Sequence, residues 1–420
     1  MNRTTIVSVV IALASLGAAI VAMPTKVEPK AYEDTGDLLF PGFSDPSLAT
    51  SLEVVRWDEA QARLVSFKVE QKAGRWVIPS HNDYPADGTE RMGKAAASFI
   101  DVRRDIVRSD RVEDHAAFGV EDPDKADGAG RGQRVTIKDL GGAVLVDVIV
   151  GKDVEEKQGY RYVRFPGQKR VYAVKVKVEI STEFTDWIER DLLRIDSDSV
   201  VRLVSDSYRV DEAQAKVVDR DPLAFELRAP MVDPSATPEW EVVEGTLPAG
   251  KVVDPSKVKA VISAIDRLNI VGVRPRPAQL TLNALQSKGF FVNPDGRRLF
   301  GNEGEVRAVA KDGVVYVLYF GEITLDTGLA LTAGGAEEGA AAVNPEAGEQ
   351  KANRYMFVDV AYDAEADQQP KPEDGSEPAG SARARSLQAR FDQWFYVISD
   401  DSFKQIRKTK DELLKDAPAP

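Results

Sequence analysis

Two stretches of this chain carry the same order of features, and that repetition constrains the fold more than any other property. In the first, Val54-Val55-Arg56 opens a strand-like run and Arg75-Trp76-Val77-Ile78-Pro79 follows. A helix-like run from Met92 to Val102 comes next, then Ile106-Val107-Arg108. In the second, Val200-Val201-Arg202 and Glu239-Trp240-Glu241-Val242 lead into a helix-like run from Val258 to Leu268. Ile270-Val271-Gly272-Val273-Arg274 closes that order. A further block pairs Val148-Ile149-Val150-Gly151-Lys152 with Leu318-Tyr319-Phe320-Gly321-Glu322. Repetition on this scale predicts two similar units. It bears on architecture and leaves the chemistry open.

Local patterns set the content of each unit. Val65, Phe67 and Val69 alternate with Ser66, Lys68 and Glu70, which marks a strand with one buried face. Trp76 to Ile78 reads as its partner across Ala73-Gly74. Asp87 is placed to cap a helix carrying Met92, Ala96, Phe99 and Ile100 on one stripe. Asp254-Pro255 supplies an N-cap and a first-turn proline, and Val258, Val261, Ile262, Ile265 and Leu268 then share one helical face. Hairpins are expected across Gly141-Gly142 and across Lys311-Asp312-Gly313, where positive φ is tolerated. Tyr160 to Phe165 and Val171 to Ile180 read as strands. Phe184, Trp187, Ile188 and Leu192 predict a helix closing the first unit, and Phe403, Ile406 and Leu413 one closing the second.

Residues 4–23 are 20 residues without a charge. As a helix they span about 30 Å, the depth of a hydrocarbon core. Arg3 and the amino terminus form a positive flank, which puts the rest of the chain outside the cytoplasm. Cleavage after Ala22 is the competing reading, but Ile20 is bulky for its place and Met23-Pro24 is a poor mature start, so an uncleaved anchor is preferred. The predicted fold is α+β: two similar domains of mainly antiparallel strands with packed helices, after an N-terminal transmembrane helix. The predicted boundaries are 1–23 for a transmembrane signal-anchor, 24–51 for a linker, 52–197 for the first unit and 198–415 for the second. The second unit carries two insertions, 326–352 rich in Gly, Ala and Glu and 363–386 rich in Pro, Asp, Glu, Ser and Ala. Both lack the apolar content to offset chain entropy and are expected to be mobile.

Several chemistries are disfavoured. The net charge of −13, without a long basic run, repels phosphate backbones, so no nucleic-acid partner is expected. The absence of cysteine rules out disulfides and thiolate metal sites. His81 and His115 are the two histidines; both lie in polar stretches, read as exposed, at a spacing that matches no ligand pattern. Asp122-Pro123-Asp124-Lys125-Ala126-Asp127-Gly128 resembles a calcium loop but has Ala126 fifth, Asp127 sixth and Gln133 twelfth, so it reads as a polar turn. Gly128-Ala129-Gly130-Arg131-Gly132 precedes a strand and opens no helix that could bind phosphate. Trp76 and Trp240, at matching places, read as core anchors in preference to a carbohydrate or peptide platform. No catalytic, cofactor-binding or metal residue is assigned, no cofactor is expected, and the chain is not expected to be an enzyme.

The chain resembles domain of unknown function family 4340. The resemblance lies in Trp76-Val77-Ile78-Pro79 with Tyr84-Pro85-Ala86-Asp87, and in Phe118-Gly119-Val120-Glu121-Asp122-Pro123. It continues in Ile149-Val150-Gly151, Gly159-Tyr160-Arg161-Tyr162-Val163-Arg164 and Val171-Tyr172-Ala173-Val174. It covers residues 52–195 well and the second unit more loosely, where Phe290-Phe291-Val292-Asn293-Pro294 stands in place of the glycine motif. The resemblance implies a membrane-anchored, extracytoplasmic α+β protein, an accessory component of the kind associated with ABC-type transport or gliding-type export. It carries no established catalytic residues. The leading expectation is a single-pass, periplasmic-facing accessory or scaffold protein with a membrane-protein partner. An extracytoplasmic binding protein for a glycan, peptide or lipid is the alternative, with its cleft between the units. A carboxylate-based hydrolase, which two buried acids facing a cleft would revive, comes third.

Overall fold

The structure, a computed structural model, describes residues 35–418 apart from 60–61, 126–128, 179, 212–215, 229–236, 278–280, 294–295, 297, 327 and 334–351. The anchor expected at 4–23 lies outside the described residues, and no described helix is long and apolar enough to cross a membrane. The fold is α+β, with antiparallel sheets and a few packed helices.

Nine strands come first: β1 (Ser51–Asp58), β2 (Arg63–Lys72), β3 (Arg75–Ile78), β4 (Tyr84–Pro85), β5 (Ile106–Ser109), β6 (Gln133–Lys138), β7 (Val144–Asp153), β8 (Tyr160–Arg164) and β9 (Val171–Lys175). They form one sheet in the order β4-β3-β2-β1-β6-β7-β8-β9-β5. The second half supplies β10 (Val200–Asp206), β11 (Arg209–Asp211), β12 (Lys216–Val218), β13 (Pro222–Arg228), β14 (Glu239–Glu244), β15 (Lys251–Val253) and β16 (Gly272–Pro275). It continues with β17 (Phe290–Val292), β18 (Leu299–Gly301), β19 (Glu305–Ala310), β20 (Asp312–Thr324), β21 (Asn353–Asp367), β22 (Trp394–Ser399) and β23 (Leu414–Asp416). Its main sheet runs β14-β13-β10-β19-β20-β21-β22-β16. With β10, β13 and β14 read for β1, β2 and β3, β19 to β22 for β6 to β9, and β16 for β5, the two orders coincide except for the two-residue β4.

Register recurs with the order. Val150 lies opposite Val163 and Val163 opposite Tyr172; Phe320 lies opposite Met356 and Met356 opposite Tyr396. At the far edge Val107 faces Tyr172 and Val273 faces Tyr396. The next residue is arginine in both, and each guanidinium lies by a tyrosine one strand further in: Arg108 at 6.0 Å from the Tyr162 ring, Arg274 at 5.8 Å from that of Tyr355. Such cation–π contacts favour the same edge geometry in both sheets.

The helices are α1 (Thr89–Ala97), α2 (His115–Phe118), α3 (Pro255–Asp266), α4 (Leu282–Gln286), α5 (Gly328–Ala333), α6 (Ala379–Phe391) and α7 (Asp400–Ile406). In α3 the Asp254 carboxylate accepts from the Ser256 N–H, Pro255 stands in the first turn, and Val258, Val261, Ile262 and Ile265 are buried. A single apolar cluster joins the cores of both halves, with Tyr84 meeting Trp394 edge-on at 4.9 Å. Helix α5 closes the β16 edge so tightly that a Cβ on Gly272 would lie 2.1 Å from the Leu331 carbonyl oxygen. Its last turn is tied to the first half: His81 Nε2 meets Thr332 Oγ1 at 2.9 Å, and Asn82 Nδ2 donates to the Ala333 carbonyl at 3.2 Å.

The structure differs from the sequence reading in identifiable places. The linker expected at 24–51 ends earlier: Leu39, Phe40, Phe43 and Ala49 are buried, and the Leu39 N–H donates to the Val102 carbonyl at 2.6 Å. The polar composition of that stretch hid four apolar residues that dock on the first unit. The insertion 363–386, expected to be mobile, holds the end of β21 and the start of α6. The buried stripe of α6, Gly380, Ala384, Leu387 and Phe391, starts with small residues that composition counts as filler. Of 326–352, residues 328–333 form α5, and 327 and 334–351 lie outside the described residues. Phe184, Trp187, Ile188 and Leu192 are buried, but only Phe184–Asp186 turns, as a 3₁₀ segment, because Trp187 Nε1 binds the Ser181 carbonyl and Ser181 Oγ the Asp186 carboxylate. Asp87 does not cap α1; its N–H goes to the Trp187 carbonyl, and Gly88 holds the cap position. The strand expected to reach Ile180 stops at Lys175.

Candidate functional site

Helices α3 and α6 pack on one face of the second sheet; the other face is a trough, closed at one end by α4 and β17, whose Leu285 and Phe290 pack with Val317, Tyr319 and Phe357. Alternation along β10, β19, β20 and β21 sends every second side chain there. Register then sets three rows across four strands. One is Asp206, Glu305, Tyr319, Phe357; the next is Val204, Arg307, Val317, Asp359; the third is Arg202, Val309, Val315, Ala361. Together with Arg220, Glu226, Arg228, Glu244, Arg298 and the β21 residues Asp363 and Glu365, these rows, Phe357 excepted, line a cavity of 930 Å³. That volume lies within the usual range of ligand sites. Arg298, Tyr319 and Asp359 continue into a smaller cavity of 340 Å³ floored by Phe357 and Leu285.

The two buried carboxylates at the head of the trough are held differently. Glu305 is fully engaged: Oε1 accepts from Arg298 at 3.1 Å and Arg307 at 3.4 Å, and Oε2 accepts from the Tyr208 hydroxyl at 3.0 Å. Burial, then the Glu305 charge, pushes the Tyr208 phenol far up, so it stays a donor. Asp206 pairs through Oδ2 with Arg220 at 2.8 Å, while its buried Oδ1 has no hydrogen-bond partner. Arg202 bridges Glu226 and Glu244 at 3.3 and 3.5 Å, and Arg228 also meets Glu226. All five lining arginines are thus paired with lining acids, whereas Asp359, Asp363 and Glu365 form no ion pair among the described residues. Burial first, then the charges of Glu305 and Asp359, raises the Tyr319 phenol, against the opposing charges of Arg307 and Arg298.

The first sheet offers an internal comparison. Asp206, Glu305 and Tyr319 stand where its register places Val55, Arg134 and Ile149. There Arg134 forms a bidentate pair with Asp147, 2.8 Å at both oxygens, and the face is closed by Phe118 over Tyr162 at 4.6 Å. The frame therefore does not require carboxylates at the head of the second trough.

Glycines set where each sheet is crossed by the segment before β6 or β19. Gly119 adopts φ +69°, and a Cβ on Gly151 would lie 2.5 Å from the Phe118 carbonyl oxygen. Gly289 adopts φ +77°, and a Cβ on Gly321 would lie 2.2 Å from the Lys288 carbonyl oxygen. The glycine motif expected to be missing from the second unit is therefore present one residue before Phe290. What differs is its first residue, Lys288 in place of Phe118.

A family model described as a domain of unknown function, DUF4340, matches residues 76–287, half of the chain. The chain belongs to this family. No curated protein and no solved structure matches it. The DUF4340 match begins at the β3 tryptophan and contains both α1 and α3.

The remaining residues singled out in the sequence are structural in their placement. His81 and His115, read as exposed, are 2 % and 4 % exposed. His81 stacks on Phe184 at 4.3 Å, and its Nδ1 meets Ser80 Oγ at 2.9 Å; His115 Nε2 lies 2.8 Å from the Lys169 carbonyl oxygen. Short polar segments around each histidine concealed that the loops fold inward. Asp122 pairs with the buried Arg164 at 2.7 Å, which pins the turn that mimicked a calcium loop. Trp240 is buried, and Trp76 packs on the core with Nε1 donating to Thr89 Oγ1 at 3.0 Å. Between the units a 490 Å³ cavity is lined by Tyr84, Trp394, Tyr396 and the Glu189–Arg194–Arg390 ion cluster. Its aromatics are 5 %, 6 % and 0 % exposed, so they brace the junction and present no stacking platform. The trough escaped the sequence reading because its charged residues come from four separated strands; the alternation Arg202, Val204, Asp206 and Glu305, Arg307, Val309 was its one visible signal.

Proposed function

We propose that the protein is a membrane-anchored, extracytoplasmic docking protein without turnover of its own, whose trough on the second sheet receives a segment of a membrane-protein partner. The observation that carries this reading is the trough: an open, multi-strand cavity whose arginines are fixed in place by ion pairs. The trough does hold two buried acids, the arrangement that favours a hydrolase, but they do not form an acid–base pair: Asp206 is ion-paired to Arg220 through Oδ2, and Glu305 has no oxygen to spare. General catalysis needs a group free to exchange a proton with substrate. The matching strand orders support a body of two related α+β domains, 52–197 and 198–415, the second specialised for contact. The uncharged run at 4–23 supports confinement to a membrane, which raises the effective concentration of partners in the same plane. The partner class proposed is a subunit of an ABC-type transport or gliding-type export complex.

The test is photo-crosslinking in intact membranes. A photoreactive residue at Ala361, exposed on the trough floor, is compared with one at Leu140, exposed at the β6–β7 turn. Recovery of a transporter subunit from Ala361 alone is the expected result. An identical yield from both positions, or none, would overturn the docking site. Hydrolysis of a glycan or peptide by the purified protein, abolished in Asp206→Asn, would overturn the non-catalytic reading.

A further inference from the structure

We propose that the occupant of the trough is a basic, extended segment of a protein partner, with lysine or arginine side chains set against Asp206, Asp359, Asp363 and Glu365. This rests on the docking reading above and specifies its chemistry. Every arginine lining the trough is already paired with an acid, so an anionic ligand would compete with existing ion pairs and meet the unpaired β21 acids. The acids along β21 have no such partner among the described residues, and a cation placed there gains attraction without displacing one.

The second observation is independent of that acidic wall. Asp206 is 3 % exposed, lines the cavity, and its Oδ1 has no donor. A buried acceptor left open is costly and calls for a donor from whatever enters. Arg307 lines the same cavity, and its buried Nε has no acceptor. A simple cation satisfies the first and not the second. A polypeptide with basic side chains satisfies both, because its backbone brings carbonyl oxygens along with its ammonium or guanidinium groups. Val204, Val309, Val315, Val317 and Ala361 then offer apolar floor for the aliphatic stems of those side chains. The first sheet has Val55 in the place of Asp206, so the open carboxylate is a feature of this trough and not of the repeated frame.

Full-length protein in detergent micelles is titrated against fluorescein-labelled decalysine and decaglutamate, read by anisotropy. Two triple variants are compared. Asp359→Asn/Asp363→Asn/Glu365→Gln removes the acidic wall; Asp153→Asn/Glu155→Gln/Glu156→Gln removes the same charge from the first sheet, where Asp153 and Glu156 are largely exposed. Decalysine is expected to bind in preference to decaglutamate. The wall variant is expected to weaken it about tenfold, from three partly exposed pairs, while the control variant keeps the parent affinity. Equal binding of decaglutamate, no binding of decalysine, or equal weakening in both variants would overturn the inference. If Ala361 still crosslinks to a partner in any of those cases, docking stands and only its basic chemistry fails. If Ala361 captures nothing, the docking reading itself fails.

Discussion

Acid should loosen the tie between the two halves through one residue, His81. Its imidazole is 2 % exposed, stacked on Phe184, and placed between Ser80 Oγ and Thr332 Oγ1, both at 2.9 Å. Burial first, and the nearby Arg274 charge second, lower its pKa from 6.5 to about 4. In the unfolded chain the same group takes its proton near 6.5. Between those values the unfolded state binds more protons than the folded one, so stability rises with pH across the window. The stabilisation is fully present above 6.5, is lost progressively as pH falls, and is gone below about 4. At about 1.4 kcal/mol per pH unit the loss is about 3 kcal/mol. Carboxylates held low by partners, such as Glu90 by the hydrogen bond from Lys94, lose stability in the same direction, so the parent curve alone does not isolate His81.

The assay that isolates it compares parent and His81→Gln in urea at pH 7 and at pH 4. The variant should be less stable at pH 7 and should lose about 3 kcal/mol less than the parent on acidification. With two histidines in the chain, the imidazole proton signals are few enough to follow by NMR, and His115→Gln assigns them. The His81 signal should hold its neutral position through pH 6 and reach its midpoint only at about pH 4. A His81 signal that titrates near 6.5, or a variant with the parent's full acid sensitivity, would refute the reasoning.

Gly289→Ala should destabilise by about 3 kcal/mol, from left-handed φ plus a Cβ 2.4 Å from the Glu322 amide nitrogen, whereas Gly142→Ala, with φ +85° and open space, should cost about 1 kcal/mol. Urea midpoints of the two variants check the ordering, and equal midpoints would remove the crossing role assigned to Gly289. Asp254→Ala should cost about 1 kcal/mol through loss of the α3 cap, and Asp254→Ser should restore most of it in the same titration. Tyr208→Phe should cost about 1–3 kcal/mol by leaving a buried Glu305 oxygen without its donor; a thermal midpoint equal to the parent's would contradict that hydrogen bond.

What the sequence exposed was whatever depends on local period. The α3 stripe and its Asp254 cap, the Gly141-Gly142 turn and the β19–β20 hairpin all rest on neighbours within a few residues, and all stand in the structure. What it concealed depends on long-range contact. His81 looks polar among Ser80, Asn82 and Asp83, and it is buried by distant partners: Phe184, which stacks on it, and α5, some 250 positions away. Leu39, Phe40 and Phe43 are too sparse to form a pattern, yet Phe40 packs edge-on to Phe99 at 5.9 Å. The trough is the extreme case. Asp206 and Glu305 are directly opposed across β10 and β19 although 99 positions separate them, and no window of sequence contains both.

The comparison between the two sheets points to where function resides. Strand order, the edge arginine–tyrosine contact and the crossing glycines recur, and each has a steric or hydrogen-bonding reason to do so in any sheet of this design. The outer faces do not recur. One presents a bidentate Arg134–Asp147 pair and Phe118 packed on Tyr162; the other presents paired arginines, an open Asp206 oxygen and an acidic β21 wall. A buried carboxylate with an open oxygen lowers stability, and the equivalent Val55 shows that the frame folds without one. A feature that weakens the fold and that the fold does not need is best explained by what it contacts. That argument makes Asp206→Val an informative substitution: in urea it should leave the body folded and at least as stable as Asp206→Asn, while weakening binding of decalysine at the proposed docking site.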